Sequence, residues 1–214
     1  MDMYTLGYEC HLSNAYIVRF RRLGEFQMNE EVCEHVYEPA EDTFLLLEAA
    51  LREVKENDSV LELGTGSGII AKTLSKKSKI SRIVTTDINP YAVRCARSKG
   101  LKVIRTNFFD GLESKFDLIL FNPPYLPIDH PEIGDRWLEI SWDGGKDGRR
   151  AITEFLKGVG DYLSGKGRFL LVVSSLSGIE ETINFARNKG FVVEIPREKK
   201  LFFERLVVVR GALD

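Results

Sequence analysis

Ser59-Val60-Leu61-Glu62-Leu63-Gly64-Thr65-Gly66-Ser67-Gly68 is the stretch that decides the fold. Its first half, Ser59 to Leu63, is a short apolar run of strand type. The glycines after it let the backbone turn tightly and approach a ligand without Cβ clashes. Residues 69–74 continue at helical spacing, so a helix N-terminus with its unpaired N–H groups opens onto the turn. The spacing is Gly-x-Gly-x-Gly, not the Gly-x-Gly-x-x-Gly that seats a pyrophosphate. Alone, such a turn is also compatible with an ordinary loop, so the reading depends on its flanks.

Upstream, Pro39 marks a helix start, and Phe44, Leu45, Leu47, Leu51 and Val54 recur at helical spacing. Downstream, strands are expected at 82–86, 101–105, 117–121, 168–174, 191–196 and 201–209. Helices are expected at 91–98, 151–163 and 179–188, and residues 122–148 read as a Pro- and Gly-rich loop. Strands alternating with helices imply right-handed crossovers and a mainly parallel sheet covered on both faces. The last two strands are separated by residues 197–200, too few for a crossover, so they pair as an antiparallel hairpin. This predicts an α/β fold with seven strands, whose ligands sit at the carboxyl ends of the strands.

The 214 residues fit one domain, with 43% hydrophobic residues providing a core. Thirty Lys plus Arg against 32 Asp plus Glu argue against affinity from blanket neutralisation of phosphates. No apolar run approaches the ~20 residues that span a bilayer, and no signal peptide is read. Cys10, Cys33 and Cys95 are odd in number and widely spaced, which predicts no disulfide framework and a cytoplasmic, reducing setting. Cys10, His11, Cys33 and His35 have metal-ligating chemistry but no familiar zinc spacing, so no metal site is expected. Residues 1–36 lack a sustained period and read as a peripheral or poorly ordered arm, and residues 37–214 as the functional domain.

Three strand tips carry candidate chemistry. Asp87, in Thr86-Asp87-Ile88-Asn89-Pro90, ends the second strand, where a carboxylate can accept from both hydroxyls of a ribose. Asn89 is better placed to cap the following helix. Asn107 offers an amide oxygen to an exocyclic amine and Phe108 an apolar edge to adenine. An adenosine with no demand for phosphate contacts suits S-adenosylmethionine better than NAD.

The fourth strand delivers Asn122-Pro123-Pro124-Tyr125. Two prolines stiffen the backbone and remove two donors. The Asn122 side-chain oxygen and the Pro123 carbonyl remain as acceptors, and Tyr125 adds a flat ring. Such a corner suits the methylation of a conjugated –NH2 group. Two acceptors can orient that nitrogen, favour the geometry in which its lone pair points at the methyl carbon, and stabilise the positive charge that develops.

Together with Tyr37-Glu38-Pro39-Ala40-Glu41-Asp42-Thr43 and Trp142-Asp143-Gly144-Gly145-Lys146-Asp147-Gly148-Arg149, these motifs occur in an order that resembles the HemK-type protein-glutamine N5-methyltransferases in their short archaeal and eukaryal form. The resemblance covers residues 37–214. It implies a class I, Rossmann-like methyltransferase fold and S-adenosylmethionine as donor. The implied acceptor is the glutamine of the Gly-Gly-Gln loop of a class I release factor. It places Thr43, Glu62, Gly64, Asp87, Asn107, Phe108 and Asn122 around the cofactor, beside Gly66 and Gly68 of the loop, and Asn122 to Tyr125 on the glutamine amide. A small zinc-ribbon activator protein is the implied partner. Relatives often carry an acidic residue where this chain has Asn107.

Asn-Pro-Pro-Tyr is shared with adenine N6-methyltransferases, so nucleic-acid methylation is the enzymatic alternative. The dense basic cluster Lys72, Lys76, Lys77, Lys79 and Arg82 reads as a solvated face rather than a nucleic-acid track. Lysine methylation needs a base that is not evident. A non-catalytic subunit predicts damaged site residues, whereas Asp87 and Asn122 to Tyr125 are intact.

Overall fold

The computed structural model describes residues 33–128 and 135–213. Helix α1 (Glu41–Glu53) precedes β1 (Ser59–Leu63), α2 (Ile69–Lys77), β2 (Arg82–Asp87), α3 (Pro90–Ser98), β3 (Val103–Arg105) and β4 (Phe116–Phe121). Then follow α4 (Arg136–Trp142), α5 (Arg150–Tyr162), β5 (Leu163–Ser174), α6 (Ile179–Asn188), β6 (Phe191–Lys200) and β7 (Arg205–Leu213). The seven strands form one sheet in the order β3-β2-β1-β4-β5-β7-β6. β1 pairs in parallel with both β2 and β4, so the strand order reverses at β1. β7 lies antiparallel between β5 and β6, as the short connection requires.

The central strands are covered on both faces, hence their nearly unbroken apolar runs. Leu118, Ile119 and Leu120 of β4 and Phe169 to Val173 of β5 are fully buried. Phe155 of α5 stacks on this layer, 5.1 Å from the Phe121 ring and edge-on to Phe169 at 5.4 Å. Gly211 faces Phe169 in the β5–β7 register, and a Cβ there would collide with the ring. A strand-interior glycine is the condition for seating that aromatic.

At the amino edge of the sheet, Arg168 is 2% exposed and bonds Asp58 (2.7 Å), Glu53 (3.0 Å) and the carbonyl oxygens of Asp117 and Glu53. Four hydrogen bonds from the guanidinium and two carboxylates meet the needs of a buried cation. The basic cluster expected to be a solvated face lies toward the same edge. Lys76 and Lys77 are exposed at the end of α2, Lys79 pairs with Glu56, and Arg82 opens β2.

Four expectations need correction. Residues 122–148 are not loop throughout, because Asp135 caps α4 by accepting from the N–H groups of Trp137 and Leu138. The final hairpin turns at residues 201–204, since the charged residues 197–200 continue β6 on an exposed edge. Cys33 and Cys95 form a disulfide, with Cα atoms 6.1 Å apart, contrary to the reading of unpaired cysteines. Their pairing is set in space by α3 and is invisible in their spacing. Finally, Cys33 and Val36, placed by sequence in the arm, pack on α3 beside Ala92 and Cys95. Cys10 and His11 lie outside the described residues. Among those residues no helix is long and apolar enough to cross a membrane.

Candidate active site

A cavity of about 540 Å³ opens at the carboxyl ends of β1, β2 and β4, within the range of small-molecule sites. The glycine loop forms one wall. Gly64 and Gly66 have φ of +60° and +53°, a region open to glycine, and a Cβ added to Gly66 would meet nothing within 4 Å. The Gly66 N–H donates to Asp87 Oδ2 (2.9 Å) and the Asn89 N–H to Asp87 Oδ1 (2.8 Å), so both carboxylate oxygens are fixed at the tip of β2. Burial holds the Asp87 carboxyl above the usual range against the pull of those N–H groups. Asn89 caps α3 by accepting from the Tyr91 N–H (2.9 Å), which leaves Asp87 free of that duty.

Gly68 was expected among the cofactor residues, but it does not line the cavity. Its φ is +78°, and a Cβ would stand 2.7 Å from Leu101 and 3.1 Å from Ala96. Its glycine requirement is the close approach of α2 to α3. Glu62 does face the cavity and is fully buried. It accepts from Thr65 Oγ1 (2.9 Å) and the Ala71 N–H (3.2 Å). Burial, offset by these two bonds and reinforced by the charge of Asp87, pushes its carboxyl up to about 8.

The opposite wall is the tip of β4. The Asn122 Oδ1 is buried and has no hydrogen-bond partner among the described residues. An orphaned acceptor costs free energy, and native structures rarely leave one without a purpose. Pro123, Pro124 and Tyr125 line the same cavity. The Tyr125 hydroxyl donates to Asp42 Oδ2 at 3.2 Å, and the Tyr37 hydroxyl to the same oxygen at 3.2 Å. Burial and the adjacent carboxylate hold both phenols well above their ordinary range, so they are proton donors at neutral pH. Asp42 Oδ1 accepts from the N–H of Thr43 (2.6 Å) and from its hydroxyl (3.2 Å), which ties Thr43 into the wall.

Asp42 is a site residue that sequence reasoning did not single out. Its signal was a carboxylate preceding the apolar run Phe44 to Leu47 in the first turn of α1, where burial demands partners. Trp137, Ile140 and Trp142 of α4 also line the cavity and were hidden by the loop assignment. Asn107 and Phe108 reach the cavity from beyond β3. Asn107 is exposed, while Phe108, at φ +46°, sets its ring edge-on to Phe121 at 5.7 Å.

The Trp142-to-Arg149 stretch braces the Asn122-to-Tyr125 corner. Leu126 donates to the Trp142 carbonyl (2.9 Å), and Gly144 donates to the Leu126 carbonyl (2.9 Å). A Cβ on Gly148, at φ +71°, would strike the Tyr125 carbonyl oxygen, and one on Gly144 would stand 2.7 Å from the Gly148 Cα. Those two glycines let the two loops pack backbone to backbone. Arg149 donates to the Ser177 carbonyl (2.8 Å), anchoring the brace to the end of β5.

The cavity therefore joins a glycine cradle, buried carboxylates and an unpartnered amide acceptor. Such a donor set fits a cationic adenosine ligand: Asp87 suits ribose hydroxyls, and Asp42 places a carboxylate on the facing wall.

The Methyltransferase small domain family matches residues 40–135. A protein of Methanocaldococcus jannaschii named "Putative protein N5-glutamine methyltransferase" is 43% identical over 182 residues, covering 82% of this chain and 91% of that protein. Methyltransferase HEMK2 of Homo sapiens is 38% identical over 169 residues, 72% of this chain and 79% of the human protein. Among solved structures, Mtq2 in the E. cuniculi Mtq2–Trm112 complex, described as responsible for methylation of the eRF1 termination factor, has a TM-score of 0.68 at 30% identity. The match covers 84% of this chain and 99% of that one. A relative 43% identical over 82% of this chain and 91% of its own length shows the family: the chain belongs to the HemK-type protein N5-glutamine methyltransferases.

Proposed function

We propose that the protein transfers a methyl group from S-adenosylmethionine to the side-chain amide nitrogen of the glutamine in the Gly-Gly-Gln loop of a class I release factor. The observation that carries this reading is the buried, unpartnered Asn122 Oδ1 at the tip of β4, beside a cavity lined by carboxylates. The methylation of eRF1 named for the E. cuniculi complex supports the choice of substrate, and its Trm112 subunit supports an activator as partner, which in this reading is a small zinc-ribbon protein.

Thr43, Glu62, Gly64, Gly66, Asp87, Asn107, Phe108 and Asn122 form the cofactor set. When bound, S-adenosylmethionine supplies an electrophilic methyl carbon on a cationic sulfonium. An amide nitrogen is a poor nucleophile because its lone pair is delocalised, as in the peptide bond. Asn122 Oδ1 accepts one N–H of the glutamine amide and the Pro123 carbonyl the other, which orients the nitrogen and stabilises its developing positive charge. Tyr125, its hydroxyl held by Asp42, gives the amide a flat wall. The apolar walls Ile140, Trp137 and Trp142 exclude water from the acceptors. No strong base is needed if the proton leaves after the methyl arrives. Positioning alone can lower such a barrier by up to roughly 7–11 kcal/mol.

Lys76, Lys77, Lys79 and Arg82 of the basic cluster lie toward the edge away from the cavity, which speaks against the nucleic-acid alternative. The test is methyl transfer from labelled donor to purified release factor and to nucleic acid, side by side, with and without the activator. Label confined to the Gly-Gly-Gln glutamine by mass mapping is the expected result. Label on adenine or on lysine would refute the proposal.

A further inference from the structure

The β6–β7 turn carries the two most exposed large apolar side chains among the described residues, Phe202 at 91% and Phe203 at 87%. Their rings stand edge to face with centroids 4.5 Å apart, so they form a single knob. The turn under them is fastened. The Leu201 N–H donates to the Glu204 carbonyl (2.8 Å), Ser174 Oγ to the Glu204 carboxylate (3.1 Å), and the Arg205 N–H to Ser175 Oγ (2.9 Å). Nothing in the packing of the fold is gained by holding two aromatic rings in water.

The knob also stands on the functional edge of the sheet. β6 runs in the direction of β5 and ends at Lys200, and β7 starts at Arg205, so the turn lies at the carboxyl edge that bears the cavity. β7 is two strands from β4, or ~10 Å along that edge. Glu204, next to the knob, is near enough to Asp42 and Glu41 for their charges to act on its carboxyl, and near enough to act on Tyr37 and Tyr125. The knob thus stands on the same sheet edge as the cavity.

We propose that Phe202 and Phe203 form a docking anchor for the intact protein substrate, received by an apolar cleft on its folded body outside the loop that enters the cavity. This rests on the function proposed above and adds how a whole protein, rather than a peptide, is recognised. A folded substrate whose glutamine reaches Asn122 covers the rim around the cavity, and the knob lies within that footprint.

The test is the double variant Phe202→Ser/Phe203→Ser, assayed with activator present on intact release factor and on a peptide spanning its Gly-Gly-Gln loop. For the intact protein, KM is expected to rise about tenfold or more, the loss typical of two aromatic anchors. The kcat, the peptide kinetics, S-adenosylmethionine affinity and melting temperature are expected to stay at wild-type values. Phe202→Leu/Phe203→Leu is expected to recover most of the KM. An unchanged KM for the intact protein overturns the inference and leaves the proposed function standing, as does an equal loss on the peptide. Weaker activator binding, or a dimer in the wild type that the variant abolishes, assigns the knob to another occupant and overturns it as well. A wild-type enzyme that labels neither substrate overturns the function and the inference together.

Discussion

Glu62 gives the molecule a dependence of stability on pH that a single substitution removes. Burial pushes its carboxyl from 4.5 to about 8 in the folded chain. The folded state therefore holds a proton that the unfolded state releases between those values. Stability from this group is fully present below about pH 4.5 and is lost progressively as pH rises through about 8. At 1.36 kcal/mol per pH unit the loss is at most about 5 kcal/mol, and water entering the cavity reduces it. Glu62→Gln keeps the shape and an acceptor for Thr65 and Ala71 but has no proton to lose. In the absence of cofactor, the variant is expected to match the wild type near pH 5 and to exceed it near pH 9. At 2–4 °C per kcal/mol for a chain of this size, the gap in melting temperature is up to about 10–20 °C. Asp87 and Glu204 are also held above their usual range, but they are common to both proteins and cancel to first order in the difference. Thermal or urea unfolding at pH 5, 7 and 9 reads the effect. Parallel curves for the two proteins would refute the reasoning and mean that Glu62 is solvated or ionised throughout.

Three further outcomes are expected. Asn122→Ala removes the acceptor for the glutamine amide, so methyl transfer is expected to fall by about 10²–10³ while circular dichroism is unchanged; wild-type turnover would remove Asn122 from the mechanism. Asp87→Ala is expected to weaken S-adenosylmethionine binding by at least about tenfold through lost ribose hydrogen bonds, measured by calorimetry. Unchanged affinity would confine Asp87 to holding Gly66 and Asn89. Arg168→Met leaves Asp58 without its buried cation and Glu53 with Arg210 alone, and is expected to cost about 3–5 kcal/mol in denaturant unfolding. A loss below about 1 kcal/mol would show that water replaces the guanidinium.

Strands β1 and β4 were legible in the sequence because strands buried on both faces are nearly unbroken apolar runs, here followed closely by glycine or proline. Asn89 was legible as a cap because Pro90 follows it. The β6–β7 turn was misplaced for a related reason. Residues 197–200 are charged and resemble a turn, yet they lie on an edge strand open to water, while Phe202 and Phe203 resemble strand residues and form the turn. Hydrophobicity reports burial, and here the side chains at the turn are apolar for a reason other than burial. Helix α4 was masked by the glycines and prolines around it. Gly68 was misassigned because its contacts, Leu101 and Ala96, are distant in sequence. The pairing of Cys33 with Cys95, 62 positions apart, is likewise a property of the folded chain.

Tyr37 and Tyr125 share one oxygen of Asp42. The segment entering α1 and the segment leaving β4 are thereby clamped at a common point, like two leaves on one hinge pin. A shift of either tyrosine drags the carboxylate and, with it, its counterpart. The spacing of the cavity walls that these segments carry is thus tied to one oxygen of a single side chain.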